Sequence, residues 1–292
     1  MPDVQANGLR LCYETLGDPA DPALLLVMGL GAQLIDWPQE LCEQLAGRGF
    51  HVIRFDNRDA GLSQSRPEWG LPDLAAIRSG DRATVPYLLT DLAADVAGLL
   101  DGLGVPRAHV VGASMGGMIA QQFAIDHPER VASLCSIMST TGERSVGRPT
   151  PAAAAVLARP PAEDRAAAVA ASIAWAGIVG SPAFPAPADE LRRRAEAKYD
   201  RRYHPAGTLR QYAAIMASPD RTAALREVTA PTLVIHGADD PLITVGGGEA
   251  TAAAVPGAEL VILDGMGHDL PRQLWPRIIA AIVKNAERAP AR

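Results

Sequence analysis

The sequence predicts an α/β protein, a mostly parallel sheet covered by helices on both faces and interrupted by a helical insertion. Three observations carry this. Continuous apolar runs, "ALLLVMG", "HVIRFD", "AHVVGAS", "VASLCSIMS", "TLVIHGADD" and "AELVILDG", recur along the chain, and each is followed by turn residues. Strands that are apolar on both faces belong in a sheet buried on both faces. Helical periodicity separates most of the runs, and residues 140–230 contain no convincing strand at all.

The elements follow in order. "VQANGLRLCYETLG" places Asn7-Gly8 between two short runs, the signal for a tight antiparallel hairpin. "LLTDLAADVAGLLDGLG" puts Leu92, Val96, Leu99 and Leu100 on one stripe of a helix that Gly102 or Gly104 can end. A last helix, beginning near Pro271, aligns Trp275, Ile278, Ile279 and Ile282 in the same way. The strand-free stretch opens with "GRPTPAAAAVLARPPAEDRAAA" and is too long for a structureless loop, so it reads as a helical subdomain. The expected division is a core of residues 1–139 and 231–292 with a helical lid of residues 140–230.

Composition bounds the function. A 292-residue chain with 48% hydrophobic and 21% charged residues has an ordinary soluble composition and can bury a sizeable core. Its net charge of -6 argues against nucleic acid and anionic membrane surfaces as partners. The Arg-rich "LRRRAEAKYDRRYH" reads as a solvated helix face, its basic residues interleaved with acidic ones. Cys12, Cys42 and Cys135 are odd in number and show no metal-ligand spacing, which fits a reducing compartment. No secretory signal is visible in "MPDVQANGLRL", and "ALLLVMGL" is too short to span a bilayer, so the expectation is a cytoplasmic protein.

The chemistry centres on "VVGASMGGMIAQ". If Val110 and Val111 end a strand and Met115 opens a helix, Ser114 occupies the sharp turn between them, at the carboxyl end of the sheet where such folds bind ligands. A phosphate loop is the competing reading, but no Lys-Ser or Lys-Thr follows the glycines and there is no GxGxxG. A serine nucleophile needs a base and the base an orienting acid. Of the six histidines, His268 in "LDGMGHDLP" lies in a glycine-rich loop after the last strand. His51, His109, His127, His204 and His236 read as surface or packed residues. The acid is sought in "VIHGADDPL", where Asp239 and Asp240 are both available.

With those residues in place, the chain resembles the α/β-hydrolase fold family over nearly its whole length. Within that family, "DPADPALLLVMGLGAQLIDWP", "HVIRFDNRDAGLS" and "GMGHDLP" are similar to the anthracycline methylesterases of the aclacinomycin type. The resemblance implies a triad of Ser114, Asp240 and His268, the acid being the aspartate directly before proline. Pro241 also restricts Asp240 to extended backbone angles. The resemblance further implies an oxyanion hole from the backbone amides of Leu30 and Met115. "DNRDAGLS" departs from the common Asp-x-Arg-Gly-x-Gly-x-Ser, with Asp59 and Ala60 where glycine is often seen.

The expected activity is hydrolysis of a small-molecule carboxylic ester through an acyl-enzyme, with a methyl ester of a bulky aromatic or polyketide-like acid implied by the resemblance. No cofactor and no metal are called for. Trp175, Phe184, Tyr199, Tyr203 and Tyr212 are the candidate substrate contacts. Carbon–carbon bond hydrolases and cofactor-free peroxidases use the same triad and stay open as alternatives. Epoxide and haloalkane hydrolases place an aspartate where this chain has Ser114. A ligand-binding protein on the same fold would have little reason to keep all three triad members.

Overall fold

Asn7 and Gly8 both take positive φ, 50° and 74°, the backbone that lets a two-residue turn join twisted strands. The hairpin they close is β1 (Asp3–Ala6) with β2 (Leu9–Leu16). The remaining strands are β3 (Ala23–Val27), β4 (His51–Phe55), β5 (Ala108–Ala113), β6 (Val131–Ile137), β7 (Thr232–Gly237) and β8 (Glu259–Leu263). In this computed structural model, which describes residues 1–290, the strands form one sheet in the order β1-β2-β4-β3-β5-β6-β7-β8. The last two positions of the expected 231–292 segment lie outside the described residues. Only the pairings of β1 with β2 and of β2 with β4 are antiparallel.

The helices, in chain order, are α1 (Gln39–Ala46), α2 (Leu74–Arg78), α3 (Leu89–Gly102), α4 (Met115–Asp126), α5 (Pro151–Leu157), α6 (Arg165–Val179), α7 (Ala188–Arg201), α8 (Pro205–Ala217), α9 (Thr222–Leu225), α10 (Gly246–Ala254) and α11 (Trp275–Glu287). Alternate strand residues serve different cores. Leu25 and Val27 face α3 and α4, whereas Leu24 and Leu26 face α1 and α11. The stripes read from sequence, Leu92, Val96, Leu99 and Leu100 on α3 and Trp275, Ile278, Ile279 and Ile282 on α11, are buried. Each such side chain contributes about 1.5–3 kcal/mol on leaving water. Gly104, at φ 67°, stops α3 as a left-handed cap.

Two features place the site. The chain leaves β3 for β4 on one side and later enters β5 on the other, so the strand order reverses between β3 and β5 and opens a crevice at their carboxyl ends. Between β6 and β7 the described chain contains α5 to α9 and no strand.

The loop after β4 is rich in buried charge. Asp56, Asn57, Arg58 and Asp59 are all buried. Arg58 meets Asp95 of α3 in a two-pronged pair, Nε to Oδ2 and Nη2 to Oδ1, both at 2.6 Å. Arg201 of α7 pairs with Asp56 at 2.7 Å, and Arg210 of α8 grips Asp59 through Nε at 2.8 Å and Nη2 at 2.7 Å. These pairs fasten α7 and α8 to the sheet. They also explain the departure from glycine at position 59. Asp59 sits at φ 66°, and its carboxylate accepts from Arg210 and from the Tyr87 hydroxyl, contacts that glycine could not make. Burial pushes the Asp59 carboxyl up, but hydrogen bonds from Arg210, Tyr87 and Ser65 outweigh it and hold the group below its ordinary range.

Asp95→Ala leaves the Arg58 guanidinium buried without its counter-charge and should lower unfolding free energy by about 3–5 kcal/mol in urea titrations. Arg10→Ala, which breaks the exposed Arg10–Asp3 pair, should change it by less than about 1 kcal/mol.

Candidate active site

Ser114 lies between β5 and α4 with φ 57° and ψ -122°, a backbone state that costs on the order of 1–3 kcal/mol for a side-chain-bearing residue. Contacts on every side hold it there. The Ser114 amide donates to Ile137 O at 2.9 Å, and its carbonyl accepts from Gly117 N at 2.9 Å and Ser139 Oγ at 2.8 Å. The flanking glycines are required by space. A Cβ on Gly112 would stand 2.1 Å from Gly116 O, and one on Gly116 would stand 2.0 Å from Val27 O. Strand and helix therefore approach closely enough to thrust the Ser114 side chain out of the turn.

Adjacent strands deliver the other two groups. Asp240 follows β7 and His268 follows β8. His268 Nε2 lies 2.9 Å from Ser114 Oγ, and His268 Nδ1 lies 2.7 Å from Asp240 Oδ2. A carboxylate only accepts, so Nδ1 bears the proton and Nε2 is free to accept from the serine hydroxyl. Asp240 is buried, and its Oδ1 accepts from the amides of Leu242 at 2.8 Å and Ile243 at 3.0 Å. Asp239 points elsewhere: its Oδ2 accepts from Gly265 N at 2.9 Å and ties the loop after β7 to the loop after β8.

Leu30 lies in the loop after β3 and lines the same cavity as Ser114. Met115 is the first residue of α4, where an amide has no acceptor one turn back. The two backbone positions thus flank the serine from neighbouring strand ends. The cavity itself, about 480 Å³, is lined by Met28, Met118, Leu157, Ile215, Leu242 and Ile243 among others. Of the five aromatic candidates, Trp175 and Tyr212 line it. The structure does not bring the other three there. Phe184 packs against the α1 and α11 core, while Tyr199 and Tyr203 stack on each other with ring centroids 5.0 Å apart. The Tyr203 hydroxyl is occupied by Ala162, accepting from its amide at 2.7 Å.

Several contributors escaped the sequence reading. The His268 amide donates to Val179 O at 2.6 Å, Gly267 N donates to Ser181 Oγ at 2.9 Å, and Ser181 Oγ in turn donates to Asp269. The last residue of α6 and the segment that follows it therefore brace the histidine loop. Burial pushes the Asp269 carboxyl up, against the lowering bonds from Ser181. These partners are 86 to 89 positions apart in sequence, and no local pattern announces them.

A model of the alpha/beta hydrolase fold matches residues 22–165. The rhodomycin D methylesterase of Streptomyces peucetius is 33% identical, over 96% of this chain and 96% of that one. The chain belongs to the alpha/beta hydrolase fold family. This α/β hydrolase is also similar to the rhodomycin D methylesterase of Streptomyces sp. strain C5, at 32% identity over 98% of both chains. Among solved structures it resembles a hydrolase from Pseudomonas aeruginosa, with TM-score 0.73 and 28% identity over 98% of this chain and 97% of that one. The meta-cleavage product hydrolase of Pseudomonas fluorescens shares its fold, with TM-score 0.75 at 16% identity over 98% and 97% of the two chains.

His236 supplies a pH test of the site. Its Nε2 donates to Ile243 O at 2.7 Å, its buried Nδ1 has no hydrogen-bond partner among the described residues, and burial holds the ring below its ordinary value of 6.5 despite nearby Asp240. As pH falls through 6.5 the unfolded chain takes up a proton that the folded one refuses. The stability linked to His236 is thus complete above that value and is withdrawn below it. The drop in urea midpoint between pH 7.5 and 5.5 should be smaller in His236→Gln than in the parent, and equal drops would remove His236 as the cause.

Proposed function

We propose that this α/β hydrolase is a serine esterase that cleaves the methyl ester of a bulky, fused-ring aromatic acid. Ser114 is the nucleophile, His268 the general base and then acid, and Asp240 the group that holds the imidazole and stabilises its charged form. The amides of Leu30 and Met115 receive the oxyanion, and water releases the acyl-enzyme. The reading assigns no step to a metal or organic cofactor. Residues 140–230 serve as a lid, with Trp175 and Tyr212 as contacts for the acid portion of the substrate.

One observation carries the proposal: a serine, a histidine and a buried aspartate joined in series by bonds of 2.9 and 2.7 Å, in a chain similar end to end to two methylesterases. Met, Leu and Ile side chains give the cavity an apolar wall for a fused-ring acid, and Arg194 and Lys198, which also line it, offer donors to the polar groups of such a substrate.

The acid assignment is tested by neighbouring substitutions. Asp240→Asn should lower kcat by roughly three to four orders of magnitude with folding nearly intact, because the wrong tautomer of His268 then faces the serine. Asp239→Asn keeps an oxygen for Gly265 N and should cost about tenfold or less. The reverse ranking would move the acid by one residue.

Substrate class is tested by assaying the methyl ester of a fused-ring aromatic carboxylic acid beside p-nitrophenyl esters of increasing acyl length and a vinylogous 1,5-diketone. The methyl ester should have the highest kcat/KM and the diketone should stay intact. Preferential cleavage of the diketone would establish the carbon–carbon hydrolase reading instead.

A further inference from the structure

We propose that Gln211 of α8 is a positioning residue that holds the loop after β3 so that the Leu30 amide faces the reacting carbonyl. The inference rests on the reading of Leu30 as an oxyanion donor and extends it to a side chain far away in sequence.

The loop is tied on both sides of Leu30. Met28 O accepts from Asn57 Nδ2 at 2.8 Å, and Gly29 O accepts from Ala32 N at 3.2 Å. On the far side, Gly31 N donates to Gln211 Oε1 at 2.8 Å. Gln211 is itself held at its other end, where Nε2 donates to Arg58 O at 2.7 Å. An amide N–H can only donate and a carbonyl can only accept, so the Gln211 amide cannot flip without breaking both bonds. The side chain is fully buried, and the Arg58 it leans on is fixed by Asp95.

Shape enforces the same placement. Gly31 has φ +61°, and a Cβ there would stand 2.7 Å from Thr208 Oγ1. Thr208 precedes Gln211 by three residues on α8, so both side chains press on the loop from one helix face. The next residue, Tyr212, lines the cavity. Helix α8 thus lines the cavity with Tyr212 and Ile215 and holds the loop after β3 with Gln211. A donor displaced by a fraction of an ångström loses more in the transition state than in the ground state, because the charge it faces develops only there.

The experiment compares Gln211→Met, which fills the space without either hydrogen bond, with Gln211→Glu. A protonated glutamate can accept from Gly31 N and donate to Arg58 O. Activity on a p-nitrophenyl ester is measured together with the affinity of an arylboronic acid, which mimics the tetrahedral intermediate, and of the ester's product acid. In Gln211→Met, kcat should fall about 10- to 100-fold, part of what a lost oxyanion donor costs. KM and product affinity should stay within about threefold, and boronic acid affinity should fall in step with kcat/KM. Gln211→Glu should recover most of the loss. If Gln211→Met does not fold, judged by thermal unfolding, Gln211→Asn is read in its place; it is one methylene too short to reach both partners, and the same pattern is expected.

An unchanged kcat, a loss carried by KM, or a Glu variant no better than Met would overturn the proposal. Ser114→Ala separates the two levels. Full turnover in that variant would sink the esterase mechanism itself, whereas an inactive Ser114→Ala beside an unaffected Gln211→Met would remove only the role of Gln211.

Discussion

Everything in the site depends on the close approach of β5 and α4. Gly112 and Gly116 leave no room for a methyl group, and Ser114 between them is forced into a left-handed backbone. The serine cannot relax without separating strand from helix, and the sheet and the core around Ile119 and Phe123 prevent that. Local strain is therefore maintained by global packing. Once Ser114 is fixed at the end of β5, the reversal of strand order puts the β3 loop on one side of it, and β6, β7 and β8 lie in order on the other. Asp240 and His268 arrive from the ends of adjacent parallel strands, so their separation follows from sheet geometry and loop length.

A second constraint is electrostatic. The loop after β4 gathers Asp56, Arg58 and Asp59 below the surface, and each is matched by a charge from a helix: Arg201, Asp95 and Arg210. Buried pairs of this kind add little net stability, but removing one partner is costly, so they act as specifiers of geometry. Here they fix α3, α7 and α8 relative to the sheet. Gln211 lies on the same helix as Arg210, which connects this arrangement to the loop that carries Leu30.

The sequence made the local features legible and left the long-range ones dark. Every strand run appears as a strand, because continuous apolar segments bounded by turns have few other uses. Ser114 and His268, which the structure brings within 2.9 Å, both stand out in the sequence as residues of glycine-rich turns after strands. Between Asp239 and Asp240, residue type decided nothing; position before proline favoured the residue that in fact meets His268. Aromaticity was a poor guide to cavity contacts. Trp175 and Tyr212 face the cavity, but Tyr199, Tyr203 and Phe184 spend their rings on one another and on the core, and helical phase across an alanine-rich stretch is too weakly patterned to tell these apart. Asp59 departs from the common glycine motif without a reason visible in sequence, because its partner Arg210 is 151 positions away. Gln211 carried no signal, since a glutamine on a helix is unremarkable until its two acceptor and donor partners are known.

The division of labour among the helices between β6 and β7 bears on how the protein can diversify. Leu157, Ser172 and Trp175, on α5 and α6, shape the cavity wall, and among the described residues their side chains make no hydrogen bond to the loops bearing Ser114, Asp240 or His268. Arg210 and Gln211 on α8 do the opposite: they are bonded into the sheet's loops and contribute no wall. Cavity-lining side chains of α5 and α6 can therefore change without disturbing those loops, whereas on α8 the wall residues Tyr212 and Ile215 share a helix with Arg210 and Gln211, which change only with compensating partners.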